Sequence, residues 1–531
     1  MTEPVIDAGD DLPLTVPRLL RARAVERADG SFLATDGGVL TYAEADERSA
    51  VLARALLAAG VGAGSRIALL HPNGTEFVVA WLAAARIGAV SVPLSTFSTK
   101  AELVGLLRGA DVTMLLSAST YRTQDYLVSL GEGVPEVELD RPGPLLSPTV
   151  PSLRRLAFVA DDPSLHPDWT MTGLLDGAAR VGEDVLVAAE DAVTPADPMV
   201  IVHTSGSTSE PKGVIHTHGS LIRHLDNLNQ LRRYTPDEVL FSNSPFFWIG
   251  GFAYALLGTL VAGAELVCSA SADAADVLDL IERERPTMVN GFAASVAHLP
   301  QDPTFASRDL SSIRRGNLYP IMAPAVRPAD PELRHNMLGM TEAGSVCLAS
   351  EDESEQPEHR RGSFGRPVPG FEAEVREPGE LWFRGPFLFE GYDGRERHET
   401  FDRDGWFATG DLVDVDDDGF FYFRGRGSDM IKTAGANVSP REVEAAIAEV
   451  SGLTAHVVGV DDPDRGQVVA ALVRAPEGTE VDVADLRARL KDRLSAYKVP
   501  RRILVVGDGD VPMMSSGKLD LRALKELLRA P

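Results

Sequence analysis

Thr204-Ser205-Gly206-Ser207-Thr208-Ser209-Glu210-Pro211-Lys212-Gly213 follows directly on an apolar run, Met199-Val200-Ile201-Val202. A buried strand that opens into glycine, small hydroxyls and a lysine suits a phosphate. Gly206 lets the backbone come close, N–H groups and hydroxyls donate to oxygens, and Lys212 adds charge. The spacing is not that of a Walker A loop, G-x-x-x-x-G-K-[ST]. Alone, the stretch also reads as a plain Ser/Thr loop, so its meaning depends on the rest of the chain.

Upstream of the loop, helical periodicity covers 42–59 through Ala45, Val51, Leu52, Ala55 and Leu56. A short apolar strand at 67–70 stops at His71-Pro72-Asn73-Gly74, which is turn chemistry. A buried helix at 77–87, a strand at 90–93, a helix at 100–107 and a strand at 112–116 follow. Repeated β-α-β units predict a mostly parallel sheet with helices on both faces. Residues 131–151 read as an irregular connection. Downstream, helices at 220–231, 249–261 and 272–284 alternate with strands at 239–241, 266–268 and 288–289. From 362 to 423, short strands with Gly, Pro and Asp turns predict a small antiparallel sheet or sub-barrel. The last hundred residues predict a separate α+β unit, with helices at 441–450, 483–494 and 521–528 and strands at 455–460 and 468–473. The expected fold class is α/β. A large N-terminal domain, 1–424, has two parallel-sheet subdomains plus a small β sub-barrel, and a small α+β domain, 425–531, follows.

The chain has 531 residues, 51 basic against 78 acidic, and a net charge of -27. That excludes the broad basic face needed for nucleic acid or an anionic membrane. A polyphosphate could be held only by local positive charge and backbone N–H groups. Two cysteines, Cys268 and Cys347, exclude a disulfide framework and a cysteine-based zinc site. The longest uncharged stretch, 239–264, contains Ser242, Asn243, Ser244 and Pro245, so it predicts a buried helix after a loop and not an integral membrane segment. Residues 1–20 carry Glu3, Asp7, Asp10 and Asp11 and no basic n-region, unlike a signal peptide. A cytoplasmic location is expected.

Four more motifs carry chemistry. Gly339-Met340-Thr341-Glu342 sets a carboxylate beside a hydroxyl, as Mg²⁺ near a triphosphate requires. Gly405-Trp406-Phe407-Ala408-Thr409-Gly410-Asp411 ends an aromatic strand on an aspartate that could accept ribose hydroxyls. Gly425-Arg426-Gly427-Ser428-Asp429 precedes Gly435 and then Ser439-Pro440-Arg441-Glu442, which reads as a capping box with proline at the first helical position. Ser515-Ser516-Gly517-Lys518 lies near the C-terminus. Singly, each is also an ordinary turn, loop or tail. His216 and His218 are expected to be solvated or hydrogen-bonded structural histidines.

Jointly, and in this order, the five motifs resemble the adenylate-forming (AMP-binding) superfamily of acyl-CoA synthetases, carrier-domain adenylation modules and beetle luciferases. The resemblance runs from Leu40-Thr41-Tyr42-Ala43-Glu44 to Lys518. It implies ATP, Mg²⁺ and coenzyme A as cofactors, and a reaction that joins a carboxylic acid to ATP and then to a thiol. Thr204, Ser205, Gly206, Ser207, Thr208 and Lys212 would hold the β- and γ-phosphates. Thr341 and Glu342 would contact the α-phosphate and Mg²⁺, with Leu338, Gly339 and Met340 around the nucleotide. Asp411 and Arg426 would grip the ribose. Lys518 would stabilise charge between carboxylate and α-phosphate, with Glu342 and Thr204 as further catalytic groups. Ser428 would sit at the hinge of a mobile C-terminal lid, and Gly435 would line the pantetheine tunnel.

Five departures from the family pattern stand out. Ser209 replaces a glycine, Leu338 an aromatic residue, Trp248 a histidine and Ser428 a charged residue, and the stretch 323–338 is short. No acidic residue lies in 245–258 to hold an α-ammonium, so a plain hydrophobic acid, aliphatic or aryl, is expected. Its pocket would include Phe247, Trp248, Phe252, Asn290, Gly291 and Phe292. Core packing is the alternative role for Trp248 and its neighbours. A ligase that loads a carrier-protein thiol or an amine, and a nucleotide-binding protein that has lost catalysis, also stay open, as does a homodimer. No nucleic-acid partner is expected.

Overall fold

A computed structural model describes residues 12–160, 162–204, 211–426, 430–476, 481–507, 511–512 and 520–529. The chain divides into two compact units. The first comprises 1–96, 107–203 and 213–425, and the second 97–106, 204–212 and 426–531.

The first unit is built on two large sheets. One has seven strands in the order Gly391–Tyr392, Lys212–Thr217, Pro198–Thr204, Val90–Pro93, Arg66–Leu70, Met114–Ala118 and Arg155–Val159. Its central pairs are parallel, with Ile67 opposite Ser91 on one side and Met114 on the other. The second has six strands in the order Arg315–Gly316, Met288–Asn290, Val239–Ser242, Glu265–Val267, Ser31–Thr35 and Gly38–Thr41. All its pairs are parallel except the closing hairpin. The two parallel-sheet subdomains are therefore present. Four antiparallel strands, Glu372–Arg376, Glu380–Arg384, Phe407–Val415 and Phe421–Arg426, form the small sheet expected near the end of the unit.

Local chemistry explains the helices. Tyr42–Ala58 starts at a reciprocal capping box between Thr41 and Glu44. Thr75–Arg86 is apolar on every side and lies in the core, with Phe77 and Trp81 fully buried. Its one buried charge, Arg86, is ion-paired with Glu190 and Asp46 and donates to Ser49. The helix expected at 249–261 is instead π-helical over Gly250–Leu257 and α-helical over Gly258–Ala262. Such wide turns are rare and cluster at functional sites. A helix at Val16–Glu26 and strands at Ser31–Thr35 and Arg155–Val159 have no counterpart in the sequence-based expectation.

In the second unit, Gly466–Arg474 pairs antiparallel with Thr454–Asp462 and parallel with Arg502–Val506. The hairpin Ile431–Thr433 and Ala436–Val438 completes the sheet. Helix Pro440–Ser451 begins as expected, with Ser439 Oγ accepting from the Glu442 N–H at 3.5 Å. The reciprocal half of the capping box does not form. The Glu442 carboxylate instead accepts from the buried Lys498 Nζ at 2.7 Å, which also donates to the Glu102 carboxylate at 2.6 Å.

His71, His216, His218 and His224 are all buried. The two histidines after the phosphate loop are thus not solvated. Burial pulls the imidazole pKa down from 6.5 to about 4 in His71, His216 and His218, and to about 3 in His224. The folded state then resists protons that the unfolded chain accepts. The stability these groups contribute is complete above about pH 6.5 and is lost as pH falls towards about 4, each costing about 1.4 kcal/mol per pH unit in that window. Urea midpoints should therefore drop steeply between about pH 6.5 and about pH 4. In His224→Leu the slope should shrink by about one proton.

Candidate active site

Strand Leu338–Met340 pairs antiparallel with Ser345–Ala349, Met340 lying opposite Ser345. The connection is a single 3-10 turn, Thr341–Ala343, closed by the Gly344 N–H donating to the Thr341 carbonyl at 2.9 Å. Gly344 has φ 71, and a Cβ there would lie 2.6 Å from Leu221 Cδ2, so only glycine fits. Glu342 stands on this turn, half-buried. Its backbone carbonyl accepts from the Phe389 N–H at 2.9 Å, and its Oε1 accepts from the Tyr392 hydroxyl at 2.8 Å. His216 Nε2 lies 2.7 Å from the Thr341 carbonyl. A carbonyl only accepts, so His216 is the neutral tautomer with its proton on Nε2.

Asp411 lies within strand Phe407–Val415 and is 2% exposed. Its N–H donates to Thr409 Oγ1 at 3.0 Å, and that hydroxyl donates to the Leu381 carbonyl at 2.7 Å. Burial pushes the Cys347 thiol pKa up, and the Asp411 and Glu342 carboxylates push it further. A thiol held in its neutral form is not a nucleophile.

Part of the predicted acid pocket also assembles. The Trp248 ring meets Phe247 edge-on at 5.2 Å and Phe292 at 5.5 Å. Three asparagine amides hold the backbone beneath these rings. Asn243 donates to the Phe292 carbonyl at 2.9 Å and accepts from its N–H at 2.8 Å. Asn317 does the same for Gly291, at 3.0 Å in both directions. Asn73 donates to the Ser244 carbonyl and accepts from the Phe246 N–H, both at 2.8 Å. Asn290 ends strand Met288–Asn290 opposite Ser242. Phe252 does not join the group. It is fully buried and packs edge-on against Trp81 at 5.3 Å. The sequence reading missed all three clamping asparagines. Asn73 sat in a turn motif, and Asn243 and Asn317 carried no signal beyond their polarity beside apolar strands.

The other predicted residues are placed separately. Thr204 closes strand Pro198–Thr204 and Lys212 opens strand Lys212–Thr217. Leu338 packs against the main core, and its carbonyl accepts from the Cys347 thiol at 3.3 Å. Gly435 turns the hairpin of the second unit with φ 88. Arg426 ends strand Phe421–Arg426. Ser205, Gly206, Ser207, Thr208, Ser428 and Lys518 lie outside the described residues. Among the described residues no helix is long and apolar enough to cross a membrane.

The chain matches the AMP-binding enzyme family over residues 20–393 and the AMP-binding enzyme C-terminal domain over 442–518. It belongs to the AMP-binding enzymes. A putative acyl-CoA synthetase of Bacillus subtilis (strain 168), YngI, is 29% identical over 92% of this chain and 91% of that protein. A feruloyl-CoA synthase of Amycolatopsis sp is 32% identical, covering 91% of this chain and 93% of the relative. Among solved structures, the amide bond synthetase McbA from Marinactinospora thermotolerans superposes with a TM-score of 0.77 at 25% identity, covering 97% of this chain and 99% of that one.

Gly291 has φ 146, and a Cβ there would lie 1.8 Å from Asn243 Oδ1. Gly291→Ala should therefore break the Asn243 clamp and add backbone strain. It should destabilise the fold by about 1–3 kcal/mol, read as a lowered urea midpoint. Asn243→Ala should reproduce the part of that loss that comes from the unpaired Phe292 amide.

Proposed function

We propose that this protein is an ATP-dependent carboxylate–CoA ligase acting on a hydrophobic, aliphatic or aryl, carboxylic acid. The observation that carries the reading is the AMP-binding match over residues 20–393, with Glu342 inside it on a turn whose carboxylate is held by the Tyr392 hydroxyl. The aromatic wall of Trp248 and Phe292 supports an apolar acid, and the two acyl-CoA ligase relatives support coenzyme A as acceptor.

The reaction has two steps. A carboxylate oxygen attacks the α-phosphorus, the bond to the bridging oxygen breaks, and pyrophosphate leaves. The thiol sulfur then attacks the acyl carbon, the C–O bond to AMP breaks, and the thiol proton is lost to solvent. The first step brings an anion to a polyanion, so fixed positive charge and aimed donors set its rate. The loop 204–212, with Lys212, would hold the β- and γ-phosphates. Asp411 would accept from the ribose hydroxyls, Arg426 would donate to them, and Lys518 would lie against the carboxylate and α-phosphate. Glu342 would offer Mg²⁺ one carboxylate. That fits an ion which keeps most of its shell for phosphate oxygens and water, and among the described residues no cluster of three or more metal-ligating side chains competes with it. Mg²⁺, when bound, neutralises phosphate charge. Ser428 would be a hinge residue, and Gly435 would line the path of the pantetheine arm.

An amine or a carrier-protein thiol is the second reading for the acceptor. The structural likeness to an amide bond synthetase favours the amine.

A hydroxamate-coupled screen of aliphatic, aryl and amino acids, with and without coenzyme A, tests the proposal. Adenylation of apolar acids and CoA-dependent thioester formation are expected. Pyrophosphate release with no thioester in the presence of CoA would move the acceptor to the second reading, and no pyrophosphate release with any acid would end the proposal. Lys518→Ala should lose adenylate formation by about a hundredfold or more, while thioester formation from supplied acyl adenylate survives. Asp411→Ala should weaken ATP binding about tenfold or more and leave acid binding nearly unchanged.

A further inference from the structure

The Glu342 turn is tied down from one short segment, 389–393. The Phe389 N–H holds the Glu342 carbonyl, and the Tyr392 hydroxyl holds Glu342 Oε1. Oε2 accepts from no described residue. Between these two contacts the segment is stitched to strand Lys212–Thr217. The Glu390 N–H donates to the Ile215 carbonyl at 3.0 Å, the Asp393 N–H to the Gly213 carbonyl at 2.8 Å, and Tyr392 lies opposite Val214. The close approach needs Gly213, where a Cβ would lie 2.8 Å from Ile201 Cγ2 and 3.2 Å from Asp393 Cβ. Arg66 then clamps the Asp393 carboxylate with two hydrogen bonds, at 2.7 and 2.8 Å. On the same strand, His216 holds the Thr341 carbonyl.

Packing alone does not call for this arrangement. The Tyr392 ring is already seated edge-on against Phe389 at 4.9 Å and is 8% exposed. A phenylalanine would fill the same space. The hydroxyl adds a directed bond to Glu342 that fixes which carboxylate oxygen it occupies.

We infer that Tyr392 is a positioning residue for Glu342: its phenol holds Oε1 so that Oε2 is presented to a cation on the bound triphosphate. The inference rests on the proposed ATP-dependent reaction. The Arg66–Asp393 pair keeps the segment carrying Tyr392 in register with strand Lys212–Thr217. Its effect on Glu342 runs through Tyr392 and not through contact with substrate.

The test is a double-mutant cycle on the full chain, using Tyr392→Phe, Glu342→Gln and the double variant. Binding of a non-hydrolysable ATP analogue is measured by calorimetry with and without Mg²⁺, alongside ATP–pyrophosphate exchange. Tyr392→Phe should reduce the Mg²⁺-dependent gain in analogue affinity about tenfold, the cost of one hydrogen bond to a charged group, with Mg²⁺-free binding unchanged. It should lower kcat for exchange, and it should add nothing in the Glu342→Gln background. An unchanged Mg²⁺-dependent gain in Tyr392→Phe, or equal losses in both backgrounds, would overturn the inference while wild-type exchange still upholds the reaction. Wild-type protein that shows no exchange with any acid would overturn the proposed reaction, and the inference with it.

Discussion

A carboxylate can serve a bound ligand only if something other than solvent holds it in place. Glu342 and Asp411 meet that condition by different means. Glu342 is held at its carbonyl by the Phe389 N–H and at its side chain by the Tyr392 hydroxyl. Asp411 is fixed through its backbone, by Thr409 and the strand that carries it. Burial keeps the Cys347 thiol protonated, and the charges of both carboxylates act in the same direction. The donors identified on the Glu342 turn are neutral groups, so the turn is positioned without spending a cation on it. In a chain with a net charge of -27 that matters, because positive charge near a polyphosphate has to come from few residues. On the proposed reading those are Lys212, Arg426 and Lys518, with Mg²⁺.

The same logic of neutral clamps shapes the aromatic wall. Each amide of Asn243 and Asn317 satisfies both the donor and the acceptor of one backbone residue, Phe292 and Gly291 respectively. Such pairing satisfies the N–H and the carbonyl of both residues and holds the loop backbone in place. Trp248 and Phe292 then face each other at a set distance on a rigid base. On the proposed reading, a wall of this kind would discriminate between acids by shape.

Much of the fold was legible because its signals are local. Apolar runs bounded by turn residues marked the strands at Arg66–Leu70 and Val90–Pro93, and the Thr41–Glu44 pair marked the start of helix Tyr42–Ala58. What escaped was set by distant partners. Ser31–Thr35 joins the large sheet because Glu265–Val267 pairs with it across more than two hundred residues, while its other edge pairs in the local hairpin with Gly38–Thr41. The π-helical turns after Trp248 have no periodic signature that separates them from an ordinary helix. In the site, motif residues such as Glu342 and Asp411 were legible from residue type and order. Tyr392 was not, because a tyrosine beside a glycine carries no mark of the carboxylate that its hydroxyl will meet fifty positions away in sequence.

The Ser439 cap shows how such a local signal can be half right. Ser439, Pro440 and Glu442 have the types and spacing of a reciprocal cap, and the serine half forms. The glutamate half does not form: Lys498 is 7% exposed and also donates to Glu102 at 2.6 Å, and a charged hydrogen bond to a second carboxylate outweighs the lost cap, worth about 1 kcal/mol. Glu442 therefore turns to Lys498. The stronger demand was non-local, and pattern alone could not rank the two. The same ranking applies to the Glu342 turn, where His216 of strand Lys212–Thr217 holds the Thr341 carbonyl and Tyr392 of the neighbouring strand Gly391–Tyr392 holds the carboxylate, so the positioning comes from outside the Thr-Glu motif. A substitution in those strands that leaves every motif residue intact can still misplace the one oxygen on which the proposed chemistry depends.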